Sequence, residues 1–211
     1  APYSASKACA ELITKVYMES FFKENSPNIA TTRAGNVIGG GDWALDRVVP
    51  DCVRAWSKGE KVEIRNPNAT RPWQHVLEPL SGYLALGQKL FQGNPELKNQ
   101  SFNFGPQAKV NQSVGDLITE MAQHWPGAEW KFEQEMNSDK PESTLLKLNC
   151  DKALQLLQWN SVLGFSETVQ MTGKWYQDFY SQNPSSILAT TSKQIEKYTE
   201  LAAQSNLVWA Q

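Results

Sequence analysis

Between residues 4 and 24, Leu12, Val16 and Ser20 recur every fourth position, while Glu11, Lys15, Glu19 and Lys23 form an alternating charged stripe. That period predicts a helix with an apolar and a charged face. Asn25-Ser26-Pro27-Asn28 breaks it. "IATTRAGNVIG" then predicts a short strand running into a loop, carried by Ile29, Thr31 and Thr32. "GGGDWALDRVVPDCVRAWSKG" predicts a glycine loop and then a helix, with Pro50 near its start and Gly59 as its stop.

"KVEIRN" reads as a strand, "PNATRPW" as a loop, and "QHVLE" as an extended stretch entering a helix that runs through Leu90. "SFNFG" is a further strand, and Asp116 to Trp125 a helix closed by Pro126-Gly127. "EWKFEQE" alternates with period two, as a half-buried strand does. Asp151–Trp159, Ser166–Gln182 and about Thr191–Ala203 complete the helices. Strands alternating with helices make this an α/β chain. The strands are too few for a complete doubly wound sheet, and no G-x-G-x-x-G opens one.

Composition narrows the class. The chain of 211 residues is 40% hydrophobic and 20% charged, as soluble globular proteins are. A net charge of −2 gives no whole-chain reason to expect nucleic acid or an anionic membrane as partner, and no long apolar run predicts a membrane span. Cys9, Cys52 and Cys150 form no C-x-x-C pair, which predicts free and mostly packed thiols in a reducing, cytoplasmic setting. With His75 and His124 the only histidines, no histidine-based metal site is expected.

Four stretches could carry chemistry. Tyr3 and Lys7 share one helical face. A free phenol titrates near 10, and a neighbouring ammonium favours its anion, so such a pair can accept a proton from a sugar hydroxyl. The pair alone reads as readily as an ordinary helix start with a surface tyrosine. "RAGNVIGGGDW" offers glycines for close backbone approach, the Asn36 amide and the Val37 main chain, or simply a flexible connection. It is not a Walker loop. In "EIRNPNATRPWQHVLEP", Arg65 and Arg71 could clamp phosphate oxygens while Trp73 and His75 wall a sugar or base pocket. The alternative is a solvated basic loop. Asn103 in "FNFG" is a hydrogen-bonding candidate or a turn asparagine.

In this order, the Tyr-x-x-x-Lys helix, "AGNVIGGGDW", the Arg-bearing loop and "NFG" resemble the extended short-chain dehydrogenase/reductase superfamily. "RAGNVIGGGDWALDRVVPD" and "IRNPNATRPWQHVLEPLSGYLALGQKL" are most similar to its nucleotide-sugar 4,6-dehydratases that take CDP-glucose. The resemblance implies the C-terminal portion of a Rossmann-type fold with a small mixed α/β substrate-binding domain. Residues 1–40 would end the NAD-binding domain. Residues 41–182 would mainly bind the nucleotide sugar, with a return strand and helix near 101–125. Residues 183–211 would form a tail with an amphipathic helix.

The resemblance further implies NAD as cofactor and CDP-glucose as substrate. Tyr3 and Lys7 would be catalytic and cofactor-binding, with Val37 near the nicotinamide. Asn36, Arg47, Arg65, Arg71, Trp73, His75 and Asn103 would serve the substrate. The 4–24 helix would join subunits in a homodimer or higher homo-oligomer. The glycine-rich NAD fingerprint, a catalytic Ser/Thr and the acid/base pair for water loss are expected upstream of residue 1. On that expectation the chain alone would be inactive, bind NAD poorly and expose apolar surface.

Overall fold

The computed structural model describes residues 2–22, 27–64, 66–107, 110–132, 147–181 and 186–211. Helix α1 (Pro2–Ser20) leads to β1 (Thr31–Ala34) and β2 (Asn36–Ile38), then α2 (Val48–Trp56), β3 (Val62–Ile64), β4 (Thr70–Arg71), β5 (Trp73–His75) and α3 (Leu77–Phe91). There follow β6 (Ser101–Phe104), β7 (Gln112–Ser113), α4 (Val114–Gln123), β8 (Trp130–Phe132), α5 (Asp151–Leu157), α6 (Phe165–Tyr180) and α7 (Ser186–Gln204).

The strands pair two by two. β1 lies parallel to β6, with Thr31 opposite Ser101, and β2 lies parallel to β5, with Asn36 opposite Trp73. β3 pairs in parallel with β8, while β4 pairs antiparallel with β7. At Gly35 the chain therefore changes partner, from β6 to β5. The Gly35 N–H still bonds to Phe104 O at the end of β6. A Cβ on Gly35 would lie 3.0 Å from Pro72 O, so the crossing admits little more than glycine. Buried Gln74 closes the junction by donating from Nε2 to Phe104 O at 2.9 Å.

The core has two main centres. Val53, Leu117, Ile118, Val169 and Tyr176 gather α2, α4 and α6 around one. Leu97, Phe102, Phe104, Leu157 and Trp159 pack β6 against α5 and α3 in the other. α7 is drawn onto this body by Tyr198, whose hydroxyl donates to Glu78 Oε2 at 2.8 Å and lies 2.9 Å from Ser81 Oγ. Glu78 Oε1 accepts from the Val162 and Leu163 amides at 2.8 and 2.6 Å, and Trp159 Nε1 donates to Ser81 Oγ at 2.9 Å. Three donors, two amides of the 162–163 stretch and the Tyr198 hydroxyl of α7, thus meet at one buried carboxylate on the α3 helix that follows β5.

Element boundaries moved where capping decides them. α4 begins at Val114 rather than Asp116 because Ser113 Oγ accepts from the Asp116 amide while the Asp116 side chain accepts from the Ser113 amide, a reciprocal cap. β4 lies in a stretch expected to be loop, and β7 in one for which no element was expected. Of "EWKFEQE", Trp130–Phe132 is strand, Glu129 precedes it, and residues 133–135 lie outside the described residues. Cys52 is buried and its thiol is pushed by burial up to about 12; Cys150 is half-buried; Cys9, expected to pack, is exposed on the thinly covered α1. Along α1 only Met18 is buried, and Leu12, Ile13, Val16, Tyr17 and Phe21 are exposed. No helix among the described residues is long and apolar enough to cross a membrane.

Candidate active-site cleft

Beyond the partner exchange at Gly35, β2 runs out beside β5 and opens a crevice at the carboxyl ends of parallel strands. That is where open α/β sheets hold ligands. A cleft of about 1030 Å3 lies there, lined by Asn36, Val37, Arg47, Arg71 and Trp73 among others, with Tyr3 at its edge. The volume is at the upper end for small-molecule sites. Tyr3 also lines a neighbouring groove of about 990 Å3, together with Lys7. Both spaces therefore meet at one phenol, which is 71% exposed. Lys7 Nζ stands 5.5 Å from the centre of the Tyr3 ring, so the ammonium and the phenol face the same side as their spacing predicts.

The other predicted residues divide. Asn36 is half-buried and Val37 exposed on β2, both on the cleft. Arg47, exposed, precedes α2 as its N-cap residue. Arg71 is half-buried at the cleft and donates from Nη1 to Thr70 O at 2.8 Å. Two guanidiniums and one amide thus border the same space. That set suits phosphate oxygens, which take bidentate contacts from arginine. Trp73 borders the cleft too, but is 5% exposed and its Nε1 donates to Gln112 O at 3.1 Å. It serves as wall and core together.

His75 does not wall the cleft. It is 2% exposed behind it, and burial lowers its pKa to about 4, so the ring is neutral. Its Nδ1 accepts from the Leu77 amide at 3.4 Å. All three residues of β5 are buried, so no alternation marks the face on which His75 stands.

Asn103 lies beside the Lys7 groove rather than in the cleft. Its Oδ1 accepts from Arg33 Nη1 at 3.2 Å and its Nδ2 donates to Asn149 O at 2.9 Å. Arg33 in turn grips Glu11 with two bonds of 2.7 and 2.8 Å, which holds the Glu11 carboxyl below its ordinary range. The amide is thereby engaged within the fold. Arg65 lies outside the described residues.

Sequence reasoning missed what fixes the glycine loop. The Cβ of an alanine at Gly40 would fall 1.9 Å from Trp175 Cδ2, so the loop lies directly on the indole of α6. Next to it, the Tyr176 hydroxyl meets the Asp42 main chain. These contacts join residues more than 130 positions apart, and no local pattern announces them.

Comparison with known proteins fits this geometry. The chain is 41% identical over 182 residues to CDP-glucose 4,6-dehydratase of Salmonella typhimurium, spanning 83% of this chain and 50% of that protein. It shares its fold with dTDP-glucose 4,6-dehydratase of Bacillus anthracis, solved in complex with NAD (TM-score 0.67, 20% identity, 84% of this chain and 52% of that one). UDP-glucuronic acid 4-epimerase of Bacillus cereus, solved with UDP-glucuronic acid and NAD, is similarly related (TM-score 0.69, 19% identity, 85% of this chain and 54% of that one). The chain spans about half the length of these relatives. The fold is that of the extended short-chain dehydrogenases/reductases. Residues 1–105 match the NAD dependent epimerase/dehydratase family, and through them the chain belongs to it.

Proposed function

We propose that the full-length gene product dehydrates CDP-glucose to CDP-4-keto-6-deoxyglucose and water, using NAD. The observation that carries this reading is the placement of Tyr3. It stands where the arginine-bordered cleft meets the groove of Lys7, with the ammonium 5.5 Å from its ring. The 41% identical relative, itself a CDP-glucose 4,6-dehydratase, supports the choice of reaction and nucleotide.

NAD, when bound, supplies the two-electron acceptor at the sugar C4 and returns the electrons at C6. An exposed phenol and ammonium beside an open groove suit its nicotinamide ribose, which Lys7 would hold, with Val37 near the ring. Tyr3 accepts the C4 hydroxyl proton as that carbon is oxidised, and Lys7 favours the phenolate. The resulting ketone acidifies C5–H, and water leaves across C5–C6. Elimination needs an acid/base pair that the residues assigned here do not supply. Asn36, Arg47 and Arg71 bind the diphosphate side, Arg65 the nucleoside side, and Trp73 closes the wall. Asn103, its amide held between Arg33 and Asn149, serves the nucleoside side.

The reading includes a cytoplasmic homodimer joined through the exposed apolar stripe of α1, making a precursor for dideoxysugars of the O-antigen type. Residues 1–40 belong with the NAD-binding domain and 41–182 mainly with substrate binding. Residues 183–211 are the tail that Tyr198 docks.

The test is to incubate the full-length gene product with CDP-, UDP-, GDP- and dTDP-glucose in turn and read the alkaline ultraviolet absorbance of a 4-keto-6-deoxy sugar. CDP-glucose alone should give signal. Signal from another nucleotide and none from CDP-glucose moves the substrate. Isomerised sugar without 6-deoxy product makes the enzyme an epimerase.

A further inference from the structure

The loop Gly39–Asp42 has no regular structure, yet it forms part of the cleft wall next to Asn36 and Val37. One side chain holds its far end. The Tyr176 hydroxyl donates to Asp42 O at 2.8 Å and accepts from the Asp42 amide at 3.2 Å. A single phenol thus satisfies both backbone groups of one loop residue, which fixes the orientation of that peptide as well as its position. The ring is 0% exposed in α6, packed in the main core. Burial pushes its pKa up to about 12, so the proton needed for donation stays in place at neutral pH.

Three further contacts act on the same stretch. The neighbouring Trp175 lies flush under Gly40, leaving no room for a Cβ. The Trp43 ring stands edge-on to Tyr176, with centroids 5.3 Å apart. Arg54 Nη2 donates to Trp43 O at 2.9 Å. Past this anchor the wall continues through exposed residues to Asp46, which takes a left-handed backbone at φ +60°, and on to Arg47.

We propose that Tyr176 is a positioning residue for substrate binding, holding the glycine loop against the cleft so that Asn36 and Arg47 meet the nucleotide sugar in register. This rests on the nucleotide-sugar reading of the cleft. Tyr176 does not border the cleft and makes no contact with reacting atoms. Its effect falls on substrate affinity, whereas that of Tyr3 falls on turnover.

The test compares the full-length gene product with its Tyr176→Phe variant, which keeps the ring and removes the hydroxyl. Loss of the two bonds should raise KM for CDP-glucose roughly tenfold, the conversion of about one net hydrogen bond's worth of binding, with kcat within about twofold. Amide exchange at Asp42 should quicken by on the order of tenfold, since that N–H loses its acceptor. A second variant, Gly40→Ala, pushes the loop off Trp175 without touching the hydroxyl and should raise KM in the same direction. Unchanged KM in both variants overturns the proposal. So does a fall in kcat equal to the rise in KM, or a collapse of the thermal transition in Tyr176→Phe, since each marks a general structural role. If the unmodified protein turns over no nucleotide sugar, the proposed reaction fails on its own account. Exchange at Asp42 then decides the anchor, and an unchanged rate overturns it.

Discussion

Replacing Tyr3 by Phe in the full-length gene product should lower kcat for CDP-glucose by about 10²- to 10⁴-fold, the range lost with a positioned general base. The phenol is the one cleft group among those assigned that can take the C4 proton, and its removal leaves the arginine side intact. KM should therefore change little. Tyr3 is exposed and only its ring meets Lys7, so the thermal midpoint should also hold. Steady-state kinetics with a melting curve on the same sample check both halves. A kcat within tenfold of the parent would remove Tyr3 from the chemistry. A large fall in midpoint would turn the lost rate into a folding effect.

The second large effect concerns stability. Glu78 is 1% exposed and accepts from two main-chain amides and the Tyr198 hydroxyl. Glu78→Ala leaves three buried donors short of an acceptor and unpins α7, at a cost of about 2–4 kcal/mol. For a chain of this size that lowers the melting midpoint by on the order of 10 °C.

Burial raises the Glu78 pKa from 4.5 to about 7, against the bonds from Leu163, Tyr198 and Val162 that favour its anion. Between those values the native state holds the proton that the unfolded state has released, so this group's contribution falls as pH rises from about 4.5 to 7. His75 works in the opposite sense. Its pKa is lowered from 6.5 to about 4, so the unfolded state takes up the proton first and stability falls as pH drops across that window. The two nearly offset each other in the parent. Glu78→Gln keeps an acceptor for the amides and removes the titration, which should unmask stability that rises with pH from about 4 to 6.5. Urea melts at several pH values measure it. A variant profile that parallels the parent would show that Glu78 does not titrate in this window.

The sequence made the helices legible where period and stops agreed. α2 starts near Pro50 and its C-terminal loop turns at Gly59, which takes φ +71°. α3 begins within "QHVLE", at Leu77, and runs to Phe91. The Tyr3/Lys7 pair was legible because helical spacing alone puts both on one face. Other parts depended on partners distant in the chain. β4 and β7 are two residues each and exist only through each other. His75 looked like a pocket residue because β5 carries no alternation to show which side is wet. Asn103 was expected to serve the substrate, and what the sequence could not show is that its amide bridges Arg33 to Asn149, the second bond made across 46 residues. The Tyr176 anchor and the Glu78 junction join elements that only the completed fold brings together. Arginines bordering a glycine loop could be guessed from the motifs and the resemblance, but the depth and orientation of that loop could not.

Isotope tracing tests the central claim most directly. With CDP-glucose deuterated at C4, the full-length gene product should yield a 6-deoxy sugar that carries the deuterium at C6, while C5 takes its hydrogen from solvent. That pattern requires oxidation at C4, elimination across C5–C6 and return of the same electrons within one site. Deuterium retained at C4 of an isomerised sugar, or no 6-deoxy product at all, would contradict the dehydratase account.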